Sequence, residues 1–97
     1  MDRAHIITTL TADKPVLVQR FGVLKRALFG SVARGTARAG SDVDVLVDFG
    51  VPATPEAYFG VQFYLEDLLG CPVDLVTEWA LRPQIRPYVE RDAIPIG

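Results

Sequence analysis

Two aspartates separated by one residue, Asp42 and Asp44, are the side chains of this sequence best suited to metal chemistry. On an extended segment their carboxylates project side by side from one face, where their mutual repulsion is unfavourable unless a cation lies between them. Magnesium prefers hard oxygen ligands and is typically held by one or two carboxylates together with substrate phosphates. The pair therefore predicts an incomplete Mg²⁺ site that a phosphate-bearing ligand completes.

A third acid, Asp74, lies in a short apolar run, between Val73 and Leu75. If this run is a strand, its two apolar neighbours point inward and the single carboxylate reaches the opposite face of a sheet. If that strand also neighbours the one carrying Asp42 and Asp44, three carboxylates converge. The alternative is an ordinary surface acid near a strand end.

A Gly-Ser pair, Gly30 and Ser31, follows a β-prone run and precedes a short helix or loop. Free backbone N–H groups at such a junction can receive an anion. Gly30 allows the backbone to approach a ligand closely, Ser31 adds a hydroxyl, and Arg34 is near enough to supply positive charge to the same phosphates. These parts together describe a phosphoryl-transfer site, although a turn glycine and an exposed arginine are also common without that function.

The remaining sequence predicts the elements that position these residues. The segment 41–49 alternates β-branched and polar residues at period two, which indicates a strand with its valines on one face and Asp42, Asp44 and Asp48 on the other. The other predictions are a helix from Asp13 to Gly22, a strand over 23–29, a helix from Thr54 to Gly70, a strand over 72–76, a helical region from Thr77 interrupted by Pro83 and Pro87, and an edge strand over 93–96. Residues 1–12 are left unassigned.

The overall composition limits the class of protein. A chain of 97 residues is expected to form one domain over 1–97, so that a large substrate would be held partly by a partner. The net charge of −2 gives no general attraction to nucleic acid, and direct nucleic-acid binding is not expected. The sequence contains neither a signal peptide nor a membrane-spanning run, which predicts a cytoplasmic protein without a membrane partner.

The motifs resemble those of a known family. The stretch from Leu28 to Gly35 followed by Ser41–Asp44 is similar to the signature of the DNA polymerase β nucleotidyltransferase superfamily, in its minimal nucleotidyltransferase (MNT) branch. That signature is Gly-Ser, ten intervening residues and Asp-x-Asp, and the spacing here matches without a gap. The run 72–76 resembles the strand with the family's third acid, and residues 79–83 resemble its C-terminal helix.

This resemblance implies an α/β (α+β) chain with a small mixed β-sheet flanked by helices, the palm-like fold of polymerase β. It further implies that Gly30 and Ser31 bind a nucleoside triphosphate, whose phosphates Arg34 is expected to reach from its position near the turn. The three acids Asp42, Asp44 and Asp74 are expected to be catalytic and to ligate Mg²⁺, as two ions with the bound nucleotide, with Asp74 ligating the second ion or helping to deprotonate the acceptor. Family members transfer a nucleoside monophosphate to a hydroxyl. MNT proteins are often paired with a HEPN toxin, which they neutralise in some cases by adenylylating a tyrosine with ATP.

Two functions of different class follow from this resemblance. The first is a nucleotidyltransferase that moves AMP to a hydroxyl on a HEPN-type partner protein. The second is a non-catalytic antitoxin of the same fold that acts by contact, with a vestigial nucleotide site. The complete set of acids with the Gly-Ser turn favours the enzyme, because a protein acting by contact alone does not need it. A polymerase fragment is disfavoured by the acidic balance and by the lack of duplex-binding domains.

Overall fold

The sheet of this protein brings the segments with candidate site residues next to one another. A computed structural model describes residues 2–38 and 40–96. Its elements are α1 (Arg3–Ala12), α2 (Lys14–Phe21), β1 (Lys25–Phe29), α3 (Gly30–Arg34), β2 (Val43–Asp48), α4 (Pro55–Leu69), β3 (Val73–Thr77), a 3₁₀ helix (Glu78–Ala80), α5 (Arg86–Asp92) and β4 (Ile94–Pro95).

The four strands form one mixed sheet in the order β3-β2-β1-β4. Strands β2 and β3 are parallel, and β1 is antiparallel to both β2 and β4. This architecture confirms the predicted fold class of a small mixed sheet flanked by helices. It also makes the strands of Asp44 and Asp74 direct neighbours.

The two faces of β2 have different surroundings. Val43, Val45 and Val47 are at most 2% exposed and belong to the main core, which also contains residues of α1, α2 and α4. On the opposite face, Asp44 and Asp48 remain partly accessible, while Leu46 is buried because the 3₁₀ helix packs against this strand. The predicted alternation is therefore confirmed. The face that carries Asp44 stays accessible to solvent near the N-terminal end of β2.

The helix predicted from Thr54 to Gly70 is confirmed by its ends. The Thr54 hydroxyl accepts a hydrogen bond from the Ala57 N–H at 3.1 Å, and Pro55 occupies the first turn. Gly70 ends the helix in the left-handed conformation, with φ at +70°. The predicted helix ending at Gly22 has the same type of terminus and spans residues 14–21. Thr54 and Pro55 thus mark the start of α4, Pro15 marks that of α2, and a glycine ends each helix, as the sequence predicted.

The unassigned first dozen residues contain a helix, α1. The Asp2 carboxylate accepts a hydrogen bond from the Ala4 N–H, and Ile6 and Leu10 are buried four residues apart. Thr9 and Thr11 bond their hydroxyls to carbonyls four residues back. Threonine has a low intrinsic preference for helices. The packing of Ile6 and Leu10 in the core is therefore what stabilises α1.

The assignment of residues 79–83 to the family's C-terminal helix was wrong. Residues 78–80 form a single 3₁₀ turn, which the Thr77 hydroxyl caps by accepting a hydrogen bond from the Ala80 N–H. Pro83 prevents continuation as an α-helix, and α5 begins only at Arg86, with Pro87 in its first turn. None of the helices in residues 2–38 and 40–96 combines the length and the apolar composition that a membrane span requires.

Candidate active site

The register of the sheet brings two of the three predicted acids together. Asp44 lies opposite Asp74 in the parallel pair of β2 and β3, and opposite Phe29, the last residue of β1, on its other side. Asp42 was predicted to lie within the strand, but β2 begins only at Val43 and Asp42 is exposed just before it. The strand starts later because the backbone pairing with β3 begins at Val43, whose N–H donates to the Pro72 carbonyl at 3.0 Å.

The three acids interact electrostatically. The pKa of Asp44 is raised to about 6, first by burial and then by the charge of Asp74, a side-chain hydrogen bond with Asp74 and the charge of Asp42. Arg34 opposes the shift. Like charges raise the pKa of a carboxyl only when they are close, so Asp42 and Asp74 both lie near enough for their charges to act on Asp44, although only Asp74 is paired with it in the sheet.

The raised pKa of Asp44 predicts how stability depends on pH without metal. Between pH 3.8 and about 6, the folded protein binds more protons at Asp44 than the unfolded chain does, so the free energy of unfolding should fall as the pH rises through this window. In EDTA, Asp44→Asn should therefore raise the free energy of unfolding at neutral pH by about 1 to 2 kcal/mol, allowing for solvent screening of a partly exposed group.

Urea unfolding of both proteins in EDTA at acidic and neutral pH measures this difference. The gain from Asp44→Asn should disappear at a pH below the ordinary pKa of the carboxyl, because wild-type Asp44 is then protonated in both states. Loss of stability in the variant at neutral pH would show that the carboxylate supports the fold rather than opposing it.

Gly30 is in direct contact with the central acid. Its φ is +73°, and a β-carbon built on it would lie 2.0 Å from Oδ2 and 2.8 Å from Cγ of Asp44. No other residue type fits there without displacing the carboxylate, and any other L-residue would also be strained by the positive φ. The predicted role of the glycine was close approach to a ligand, whereas its contact with Asp44 could be found only from the register of β1 and β2.

The Gly-Ser pair begins the helix α3, as the sequence predicted for a strand followed by a tight turn. The first N–H groups of a helix have no partner within it, so those of this turn are directed away from the helix. At its other end, the Ser31 carbonyl accepts a hydrogen bond from the Thr36 N–H at 2.9 Å, and Gly35 ends the helix with φ at +77°. Through the contact of Gly30 with Asp44, this turn adjoins the acid pair.

Arg34 lies at the end of α3 and contacts α5. Its Nη1 atom is 2.9 Å from Oδ2 of Asp92, whose side chain is 16% exposed. Arg34 still lowers the pKa of Asp44, so its charge acts at the acids while it is paired. Asp92 was missing from the sequence-based site, because it is 58 residues away from Arg34 and no local motif connects them.

The donor set suits a divalent cation that is shared with a ligand. Among the residues that the structure describes, no three His, Cys, Asp or Glu side chains form a ready-made metal cage. Asp44 and Asp74 nevertheless offer carboxylate oxygens from adjacent strands, with the charge of Asp42 nearby. One or two carboxylates are the usual protein contribution to a Mg²⁺ site that phosphate oxygens and water complete.

The mixed sheet, with the Gly-Ser turn packed against an aspartate of the neighbouring strand, agrees with the fold expected from the resemblance to nucleotidyltransferases. Residues 14–95 match the Nucleotidyltransferase domain family, and the chain belongs to it. This family generally uses a divalent metal.

Among its relatives is the protein adenylyltransferase MntA of Thermococcus cleftensis, which is 43% identical over 90 residues that cover 93% of this chain and 91% of the relative. A solved structure provisionally described as a minimal nucleotidyltransferase is 40% identical, with a TM-score of 0.81 over 98% of this chain and 96% of the other. The fold also matches an MNT antitoxin structure, in complex with a tri-AMPylated Shewanella oneidensis HEPN toxin, at 20% identity and a TM-score of 0.65 over 91% of this chain and 70% of the other.

Proposed function

We propose that this protein is a Mg²⁺-dependent adenylyltransferase that transfers AMP from ATP to a hydroxyl group of a HEPN-type partner protein. The observation that carries this proposal is the contact of Gly30 with Asp44, beside Asp74 on the next strand. This contact supports the proposal because it sets the Gly-Ser turn, our candidate for phosphate binding, against the paired carboxylates. In the reaction, the acceptor oxygen bonds to the α-phosphorus, the bond from that phosphorus to the pyrophosphate oxygen breaks, and pyrophosphate leaves.

Each site residue has a role in this proposal. The N–H groups of Gly30 and Ser31 bind the triphosphate, and Arg34, held by Asp92, adds positive charge. Asp42, Asp44 and Asp74 would hold Mg²⁺, as two ions when the nucleotide is bound, and the metal would supply positive charge that offsets the charge developing on the phosphate oxygens. Asp74, the more exposed of the two paired acids, also accepts the proton of the acceptor hydroxyl.

The identity of the nucleotide and the partner is inferred from the relatives. The Thermococcus cleftensis relative is named a protein adenylyltransferase and aligns with nearly the whole chain. The matched antitoxin structure pairs an MNT protein with an AMPylated HEPN toxin. We extend both properties to this chain, together with a single domain over 1–97 and the cytoplasmic location where ATP and such a partner would be available.

An antitoxin that acts by contact alone is the second candidate. An exposed aromatic surface supports it, formed by Phe59, Phe63 and Trp79, which are 49%, 59% and 62% exposed. Phe59 and Phe63 stack with their ring centroids 6.0 Å apart. Such a surface suits protein contact, but it is compatible with an enzyme that binds its substrate protein, whereas the acid pair has no purpose in a contact mechanism.

Nucleotide binding is predicted to depend on magnesium. Without it, the triphosphate would face the negative charge of Asp42, Asp44 and Asp74. Calorimetry with AMP-PNP, without an acceptor protein present, should give clear binding in Mg²⁺ and at least about tenfold weaker binding in EDTA, a difference of about 1.4 kcal/mol or more. Equal affinity in both conditions would contradict the metal site.

A further inference from the structure

A cleft between α3 and α5 opens beside Gly30. Its volume is about 330 Å³, at the lower end of the range of about 300 to 1,000 Å³ that is typical of small-ligand sites. The residues that matter here are Phe29, Gly30 and Arg34 on one side and Ile85, Tyr88 and Asp92 on the other. Because Gly30 is part of its wall, the cleft is continuous with the turn that contacts Asp44.

The wall formed by α5 and the residue before it carries apolar and aromatic side chains. Tyr88 is 64% exposed and Ile85 is 48% exposed, so both present apolar surface to the opening. The guanidinium of Arg91 lies 5.8 Å from the centroid of the Tyr88 ring. An accessible aromatic ring is a stacking platform for a planar ligand, and stacking of nucleobases on such rings requires no particular hydrogen bonds.

The opposite wall is held in place by the ion pair of Arg34 and Asp92, with 2.9 Å between Nη1 and Oδ2. This pair joins α3 to α5 across the cleft and keeps a positive charge next to Gly30. A ligand with an aromatic ring at one end and negative charge at the other therefore fits the cleft and the adjoining turn together.

The order of the strands separates this cleft from Asp74. In the order β3-β2-β1-β4, Asp74 lies on the β3 side of Asp44, while Gly30 follows β1 and α5 packs against β1 and α3. A ligand that extends from the turn into the cleft thus leaves the β3 side of the acids open. An acceptor hydroxyl can approach there without competing for space.

We propose that this cleft binds the base and ribose of the nucleoside triphosphate, with Tyr88 stacking on the base. The inference rests on the proposed function, which places the phosphates at Gly30 and Ser31. The favoured class of ligand is a purine nucleotide, since its two fused rings cover more of the aromatic platform than a pyrimidine ring does.

Calorimetry in Mg²⁺ with two ligands, AMP-PNP and inorganic tripolyphosphate, tests the proposal, because only the first carries a base. Tyr88→Ala should weaken AMP-PNP binding by about 5- to 10-fold, the lower range for stacking on an exposed ring, and leave tripolyphosphate binding unchanged. Tyr88→Phe keeps the ring and should bind both ligands like the wild type. Trp79→Ala is the matched control, as it removes a similarly exposed aromatic side chain that does not line this cleft.

Three outcomes would overturn the proposal. Unchanged AMP-PNP affinity in Tyr88→Ala would show that the base binds elsewhere, while the proposed function would stand. If that variant also failed to label the partner, the cleft would be a site for the acceptor protein. Equal weakening of AMP-PNP and tripolyphosphate would show that Tyr88 supports the turn rather than the base. A wild-type protein that binds neither ligand would contradict the proposed function itself.

Discussion

Replacing Gly30 with alanine is expected to reduce adenylyl transfer by about 100-fold or more, because a displacement of a catalytic group by about 1 Å can have that effect. The new methyl group would occupy the position of the Asp44 carboxylate, 2.0 Å from Oδ2, so the acid has to move. Its pairing with Asp74 is then disturbed, and the N–H groups of the turn no longer face the same point.

Gly70→Ala provides a matched control for this substitution. Gly70 has φ at +70°, close to the +73° of Gly30, but a β-carbon there meets nothing within 4 Å. Both variants should lose about 1 to 2 kcal/mol of stability to backbone strain, while only Gly30→Ala should lose activity. Similar transfer rates in the two variants, measured with saturating Mg-ATP at a temperature where both are folded, would show that the contact with Asp44 does not matter.

Asp74→Asn is expected to lose the chemical step and keep much of the affinity for Mg-nucleotide. Asp74 is exposed on the side of Asp44 away from Gly30, where an acceptor can reach it, and the turn with Asp42 and Asp44 remains intact. Positioned acid-base catalysis contributes roughly 10²- to 10⁴-fold, so the single-turnover rate should fall by at least the lower figure.

Asp67→Asn is the control for removing one negative charge, because Asp67 is exposed on α4. It should match the wild type in rate and in AMP-PNP affinity. If Asp74→Asn instead lost much of its AMP-PNP affinity and kept its rate, Asp74 would have a role in nucleotide binding and not in proton transfer from the acceptor.

The parts of the site that the sequence predicted are those determined by local pattern. The Gly-Ser turn, the period-two alternation of β2 and the single acid between Val73 and Leu75 each have a local signature, and all three segments lie where they were expected. Their roles in binding and catalysis remain predictions. The close approach of Gly30 to Asp44 depends on strand register, which no local pattern encodes.

The parts that the sequence did not predict depend on contacts between distant segments. Helix α1 forms because Ile6 and Leu10 are buried in the main core, despite the threonines around them. The pairing of Arg34 with Asp92 and the cleft beneath Tyr88 require α5 to pack on α3, and the position of α5 was misjudged by several residues because two prolines divide the C-terminal region. Proline marks where a helix cannot continue, but it does not specify which side of it becomes helical.

We propose that this protein acts by catalysis and not by contact alone. The most direct test is to incubate it with Mg²⁺, ATP labelled at the α-phosphate and a HEPN-type partner protein, and to follow label on the partner while its neutralisation is assayed in parallel. We predict that the wild type labels a partner hydroxyl, and that Asp74→Asn neither labels nor neutralises. Absence of label with the wild type, or full neutralisation by Asp74→Asn, would contradict the enzyme and establish the contact antitoxin in its place.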